Sequence, residues 1–218
     1  MTKLCTIVGM GPGVSFSVAK RFAKEGFTIA MIARNTDNLR KFANELKNSG
    51  FDAHSFVADV SNFDELSNTF DTIKNKLGDT HILVYNVSIY REASPTQLSA
   101  ETSVEDFKAN VAGALVAIQK VVPQMKKKGE GTIFITGGGQ GLEPYHVLSS
   151  LAIGKSAIRS MCFSLHQELK PEGIKVATVT INGQVSPNTK FAPDLICEEF
   201  WKLYQIPLND CPREVIYE

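Results

Sequence analysis

Apolar positions along the chain alternate between two periods. Short runs rich in β-branched residues predict strands at 4–8, 28–33, 53–57, 81–85, 132–136 and 175–181. Between them apolar residues recur every three or four positions, the period of a helix with one buried face. The first such helix spans 14–24 and ends at Gly26. The second, about 37–47, is entered through Asn35 and Thr36 as candidate caps and left at Gly50. Ser61 is the expected cap of a third, ending near Gly78. Ser103 and Asp106 form a capping-box pattern, predicting a long helix from there to about Lys128, bent near Pro123. A helix over 149–169 stops before Pro171, and the tail predicts one more, at 194–204, and a last strand at 214–217.

Strands alternating with helices imply βαβ units and a parallel sheet covered on both faces. Right-handed crossovers then lead to an α/β, doubly wound, Rossmann-type fold. No repeat, low-complexity run or linker interrupts the pattern. The expectation is one domain over 1–218, with a short C-terminal tail from about 187.

Composition narrows the function classes. The chain has 218 residues, enough for one domain, with 43% hydrophobic and 21% charged residues, which excludes a largely disordered chain. Lys plus Arg equals Asp plus Glu at 23 each, without the basic excess of a nucleic-acid binder. No apolar run reaches the ~18–20 residues of a membrane span, and residues 1–7 are too short for a signal-peptide core. A cytoplasmic protein is expected, with no nucleic-acid or membrane partner. Cys5, Cys162, Cys197 and Cys211 lack metal-ligand spacing and read as buried thiols, with no metal.

Candidate chemistry begins at Gly9-Met10-Gly11-Pro12-Gly13-Val14-Ser15, which follows the first strand and opens the first helix. Glycines there permit a tight turn and close backbone approach to a pyrophosphate, and the helix N-terminus adds N–H donors. This context predicts a dinucleotide. The second strand ends in Ala33-Arg34, without the acid that suits a ribose 2′-hydroxyl. An arginine suits a 2′-phosphate, so NADP(H) is favoured over NAD(H).

From these residues the chain resembles the short-chain dehydrogenase/reductase family over about 3–190. Gly9 and Gly13 match the family's glycine fingerprint, with Ser15 in place of its last glycine. Asp59-Val60 matches an adenine-contacting pair. Asn86 is kept from an Asn-Asn-Ala-Gly motif, and Asn110 matches the asparagine of the long helix. Asn182-Gly183-Gln184-Val185 is similar to the Pro-Gly-x-Val that touches the nicotinamide side. The resemblance implies nucleotide contacts from Gly9, Gly11, Gly13, Val14, Arg34, Asp59, Val60, Asn86, Lys155, Gly183 and Val185, with Asn110 and Lys155 in the catalytic set.

The departure lies in that set. The family's tyrosine, four residues before the lysine, passes a proton to or from the substrate oxygen, and an upstream serine holds the carbonyl. Here Leu151 and Gly138 occupy those places. General acid–base catalysis is worth ~10²–10⁴-fold, so another donor is required for rapid carbonyl reduction. Tyr145, His146 and Tyr90 are candidates from neighbouring loops, as is a water chain ordered by Lys155 and Asn110.

Three readings follow: an NADP(H)-dependent reductase with a rearranged acid, a catalytically silent NADP(H)-binding sensor or regulatory partner, and a structural partner that has lost the nucleotide. The retained glycines and Asp59 weigh against the third. The substrate is a small molecule that the sequence leaves unidentified. Residues 187–204, with Phe191, Phe200, Trp201 and Tyr204, suggest an aromatic lid, with core packing as the other reading, favoured for Phe200 and Leu203. The stripes Val111, Leu115, Ile118, Val122 and Ile153, Ala157, Met161, Leu165 supply helix faces for a homodimer or homotetramer, as in the family.

Overall fold

The computed structural model describes residues 3–218; Met1 and Thr2, part of the segment weighed as a signal peptide, lie outside the described residues. In chain order the elements are β1 (Leu4–Val8), α1 (Val14–Lys24), β2 (Thr28–Ala33), α2 (Thr36–Asn48), β3 (Ala53–Val57), α3 (Phe63–Leu77) and β4 (Thr80–Tyr85). There follow α4 (Ala100–Phe107), a wide π turn (Lys108–Ala112), α5 (Gly113–Lys128), β5 (Gly131–Gly138), α6 (Ser149–Leu169), β6 (Ile174–Ile181), α7 (Pro193–Gln205) and β7 (Glu214–Tyr217).

The strands form one parallel sheet in the order β3-β2-β1-β4-β5-β6-β7. Its centre is buried on both faces, which explains the predominantly apolar and β-branched runs: all five residues of β1 and all eight of β6 are buried. One core layer joins α1, α2 and α7 to the sheet, and the other joins α3, α5 and α6. Chain direction across the sheet reverses between β1 and β4. A parallel sheet opens a ligand crevice at such a switch point, beyond the carboxyl ends of the strands.

Several local expectations are corrected. Asn62, not Ser61, caps α3, its side chain accepting from the Glu65 N–H, while the Ser61 N–H donates to Asp59. The long helix starts earlier than expected: Ser99 caps it at Ala100, so Ser103 and Asp106 lie inside it. Asp106 is buried and serves tertiary contacts, which a capping-box pattern does not anticipate. Its regular hydrogen bonding is interrupted at Lys108–Ala112, ahead of Pro123, which sits within α5.

The aromatic lid resolves into two parts. Helix α7 is core: Ile196, Phe200 and Leu203 are buried, and Phe200 meets Phe134 edge-on at 5.8 Å. Trp201 and Tyr204 pack against Phe22 of α1. The buried Lys175 amine donates to the carbonyls of Leu203, Tyr204 and Ile206, holding the C-terminal end of α7 against the start of β6. Only Phe191, in the loop before α7, lies over a predicted site residue: a Cβ on Gly183 would fall 2.1 Å from its ring.

Both helix stripes divide between sheet and surface. Val111, Ile118 and Leu165 are buried, whereas Leu115 and Ile153 are exposed together with Val104 and Phe107. No helix among the described residues is long and apolar enough to cross a membrane. All four cysteines are free and buried.

Candidate functional site

The glycine turn closes the switch-point crevice from below. Gly9 has φ +85°, and a Cβ there would lie 2.4 Å from the Asn86 carbonyl oxygen. Only glycine fits, in backbone conformation and in space. Gly11 and Gly13, in contrast, have no atom within 4 Å of a built Cβ, so their backbone faces open space at the start of α1. Val14 is the first residue of that helix and is itself buried.

Ser15 has a role its small size alone does not suggest. Its hydroxyl donates to the Gly9 carbonyl at 2.7 Å and accepts from the Asn86 side-chain amide at 2.6 Å. The Asn86 backbone N–H in turn donates to the Val8 carbonyl at 2.9 Å. The serine therefore fastens the turn to the end of β4, a link visible only once β1 and β4 are neighbours.

A cleft of about 280 Å³ extends from the turn, lined by Gly9, Arg34, Asp59, Val60, Asn86 and Ala109 among others. Arg34, two-thirds exposed, lies 3.9 Å from Asp59. A pair so exposed contributes little to stability, and the guanidinium remains accessible beside the N-terminus of α2. A cavity of about 320 Å³ lies at the opposite, amino ends of the central strands, between Lys3, His81 and Leu208. The switch-point cleft brings together Gly9, Arg34, Asp59, Val60 and Asn86 of the predicted nucleotide residues, while Lys155, Gly183 and Val185 lie outside its lining.

The other half of the crevice is built on β5 and α6. Lys155 is buried and donates to the Thr136 carbonyl at 2.8 Å; burial alone pushes its ammonium down to about 8. A Cβ on Gly138 would rest 3.4 Å from Lys155 Cε, so the two positions are adjacent. Asn110 lies in the π turn, with Oδ1 accepting from the Ile89 N–H at 2.8 Å. Its amide nitrogen is buried without a partner among the described residues. Gly154 permits this packing, since a Cβ there would approach Asn110 Nδ2 to 3.0 Å.

Leu151 is buried at the base of α6. Tyr90 and Tyr145 are 68% and 54% exposed. The exposed His146 pairs through Nδ1 with Ser94 at 3.1 Å. None of the three makes a recorded hydrogen bond to Lys155 or Asn110. Gly183 and Val185 follow β6 on the exposed side of the crevice.

The sequence reading missed a polar network at the mouth. Arg91 makes a two-pronged pair with Asp106, at 2.9 and 3.1 Å, and Ser150 donates to the same carboxylate at 2.7 Å. The Arg91 hydrogen bonds hold the Asp106 carboxyl below its usual range against the opposing effect of burial. Ser149 donates to the Ala93 carbonyl at 2.6 Å, and Ala93 donates to the Val147 carbonyl at 2.8 Å. The loops after β4 and β5 are thus tied together and to the first turn of α6, which carries Leu151. Charged and hydroxyl residues spaced over 60 positions carry no local signal of such a network.

Comparison with known proteins agrees with this fold. The sequence profile of the short chain dehydrogenases matches residues 3–192. A diacetyl reductase ((S)-acetoin forming) of Staphylococcus epidermidis is 29% identical over 177 residues, 81% of this chain and 69% of that protein. A 3-oxoacyl-(acyl-carrier-protein) reductase of Staphylococcus aureus is 26% identical over 209 residues, 95% and 84% of the two chains. Among solved structures, a metagenomic short-chain oxidoreductase in complex with NADP superposes with TM-score 0.90 at 19% identity, covering 98% of this chain and 95% of that one. An alcohol dehydrogenase from Thermococcus sibiricus complexed with 5-hydroxy-NADP gives 0.89 at 20%, covering 99% and 96%. With the profile spanning most of its length, the chain belongs to the short chain dehydrogenase family of oxidoreductases.

Proposed function

We propose that this protein is an NADP(H)-dependent oxidoreductase acting between a small carbonyl compound and its alcohol, with a proton donor other than tyrosine. The observation that carries the reading is the glycine turn: Gly9 is locked against Asn86 while Gly11 and Gly13 present bare backbone at a helix N-terminus. Those residues and Val14 would take the pyrophosphate. Asp59 and Val60 would border the adenine, with Arg34 at the 2′-phosphate and Asn86 beside the ribose chain. Lys155, Gly183 and Val185 would take the nicotinamide half, and Asn110 would shape it. When bound, the reduced nicotinamide supplies a hydride; Lys155 and its surroundings manage the proton. NADP in the two structural neighbours supports this choice over NAD.

Titration with NADPH and NADH tests the assignment. NADPH should bind more tightly, and Arg34→Ala should weaken it about 10–100-fold, the range of a charge-assisted hydrogen bond at ~1.5–3 kcal/mol, while leaving NADH almost unchanged. Equal loss for both nucleotides would remove the phosphate role. The exposed Val104, Phe107, Leu115 and Ile153 support pairing with a second copy. A concentration-independent monomer in sedimentation equilibrium would exclude it.

A further inference from the structure

We propose that Lys155 is itself the proton donor to the substrate oxygen, which would sit beside Gly138. This rests on the oxidoreductase reading above. The reaction balances without another protein acid. The nucleotide, when bound, would supply the hydride electron pair for the new C–H bond. The carbonyl π pair moves onto oxygen and takes a proton from the Lys155 ammonium, forming O–H. Lys155 is left as a neutral amine and regains its proton from solvent.

The argument starts from space. In the family pattern a serine side chain would project from position 138. Here the Cβ position of Gly138 is in van der Waals contact with Lys155, 3.4 Å from Cε and 3.5 Å from Cδ. A substrate oxygen on that side of Gly138 would rest against the Cγ–Cε stem of the lysine, one bond from its amine, where a serine would otherwise intervene. Lys155 has three N–H donors and commits one, to the Thr136 carbonyl. The unpartnered Asn110 nitrogen is buried against Gly154, adjacent in the chain to Lys155. It is the other uncommitted N–H donor in this region. Leu151 places hydrocarbon, not a hydroxyl, at the tyrosine position.

The charges around Lys155 leave it free to act. On α6 itself, Arg159 pairs with Glu214 of β7, and Glu214 also accepts from Thr180. On α4, Asp106 is taken by Arg91 and Ser150. In the π turn, Lys108 pairs with Glu105. Strand β5 carries no titratable side chain, and Lys175 of β6 is bound to the carbonyls at the end of α7. No carboxylate therefore holds the Lys155 proton, and burial places its titration near 8. That value suits a donor at neutral pH, where a general acid works best with a pKa near the working pH. The sign is definite: reduction proceeds with the ammonium below the pKa and is lost above it, while alcohol oxidation needs the amine and gains.

The test uses the full chain. Protein carrying ¹³C at lysine Cε is titrated by NMR with and without NADP⁺, and Lys155→Met identifies the resonance. Lys155→Arg, which also removes it, serves if the methionine variant does not fold. One lysine should titrate near pH 8, well below the others. Single-turnover reduction of a carbonyl panel by NADPH should fall about tenfold per pH unit above that same midpoint. Lys155→Arg retains a cation and hydrogen-bond donors. Compared at saturating NADPH, with affinity measured separately, it should lose reduction by ~10²–10³-fold, the worth of a general acid. A Lys155 that titrates with the other lysines overturns the proposal. So does a rate profile that ignores its midpoint, an arginine variant with near-normal turnover, or nucleotide binding with no turnover across the panel. Failure of the wild-type chain to bind either nucleotide would instead sink the NADP(H) reading itself.

Discussion

The two halves of the crevice have diverged to different degrees. On the β1–β4 side, Gly9, Gly13, Asp59 and Asn86 match the family pattern, and one exchange, Ser15 for glycine, is absorbed by hydrogen bonds to Gly9 and Asn86. On the β5–α6 side, Lys155 and Asn110 are kept while Leu151 and Gly138 stand where a hydroxyl acid and a hydroxyl donor belong. Binding a dinucleotide depends on backbone geometry, which tolerates a small side chain. Proton transfer depends on one functional group at one position, which leucine does not replace.

The sharpest way to break this comparison is to restore the missing groups. Leu151→Tyr combined with Gly138→Ser should raise carbonyl reduction by up to ~10²–10⁴-fold. Room exists at 138, where the new Cβ meets Lys155 at ordinary contact distance. Such a gain, measured as kcat/KM with NADPH, would show that a tyrosine hydroxyl with serine outperforms Lys155 as the donor. An unchanged rate would show that the substrate or the lysine is differently placed.

The opposite half is tested by crowding it. Gly9→Ala forces a Cβ into the Asn86 carbonyl at a positive φ and should cost about 2 kcal/mol or more in denaturant unfolding, together with nucleotide affinity. Gly11→Ala has free space and should leave stability within ~1 kcal/mol while weakening NADPH. If both substitutions act alike, the turn is scaffold rather than ligand surface. The smallest expected effect is that of Arg34→Ala, confined to NADPH, which sharpens the comparison by separating phosphate recognition from the rest of the nucleotide site.

The sheet was legible because a strand buried on both faces must read as a continuous apolar run and a covering helix as a three-to-four repeat; β1, β2, α1 and β7 fall at the predicted residues. The misread places were those where one residue type serves two purposes. Asp106 three residues after Ser103 is a helix-start pattern, yet its carboxylate turns inward to Arg91 and Ser150, contacts that sequence spacing does not encode. Core packing, favoured for Phe200 and Leu203, holds, whereas Trp201 and Tyr204, read with the lid, pack on Phe22 of α1.

By itself, then, the sequence determined the alternating architecture, the glycine turn and the family it belongs to, because periodicity and local motifs are properties of consecutive residues. The tertiary structure decided which polar atoms are satisfied. Ser15 bridges Gly9 and Asn86, Asp106 is consumed at the mouth, and Lys155 is left buried beside Gly138 with no carboxylate. Those outcomes depend on strands and helices far apart in the chain coming together, since desolvation and hydrogen-bond partnership arise only when the folded elements exclude water.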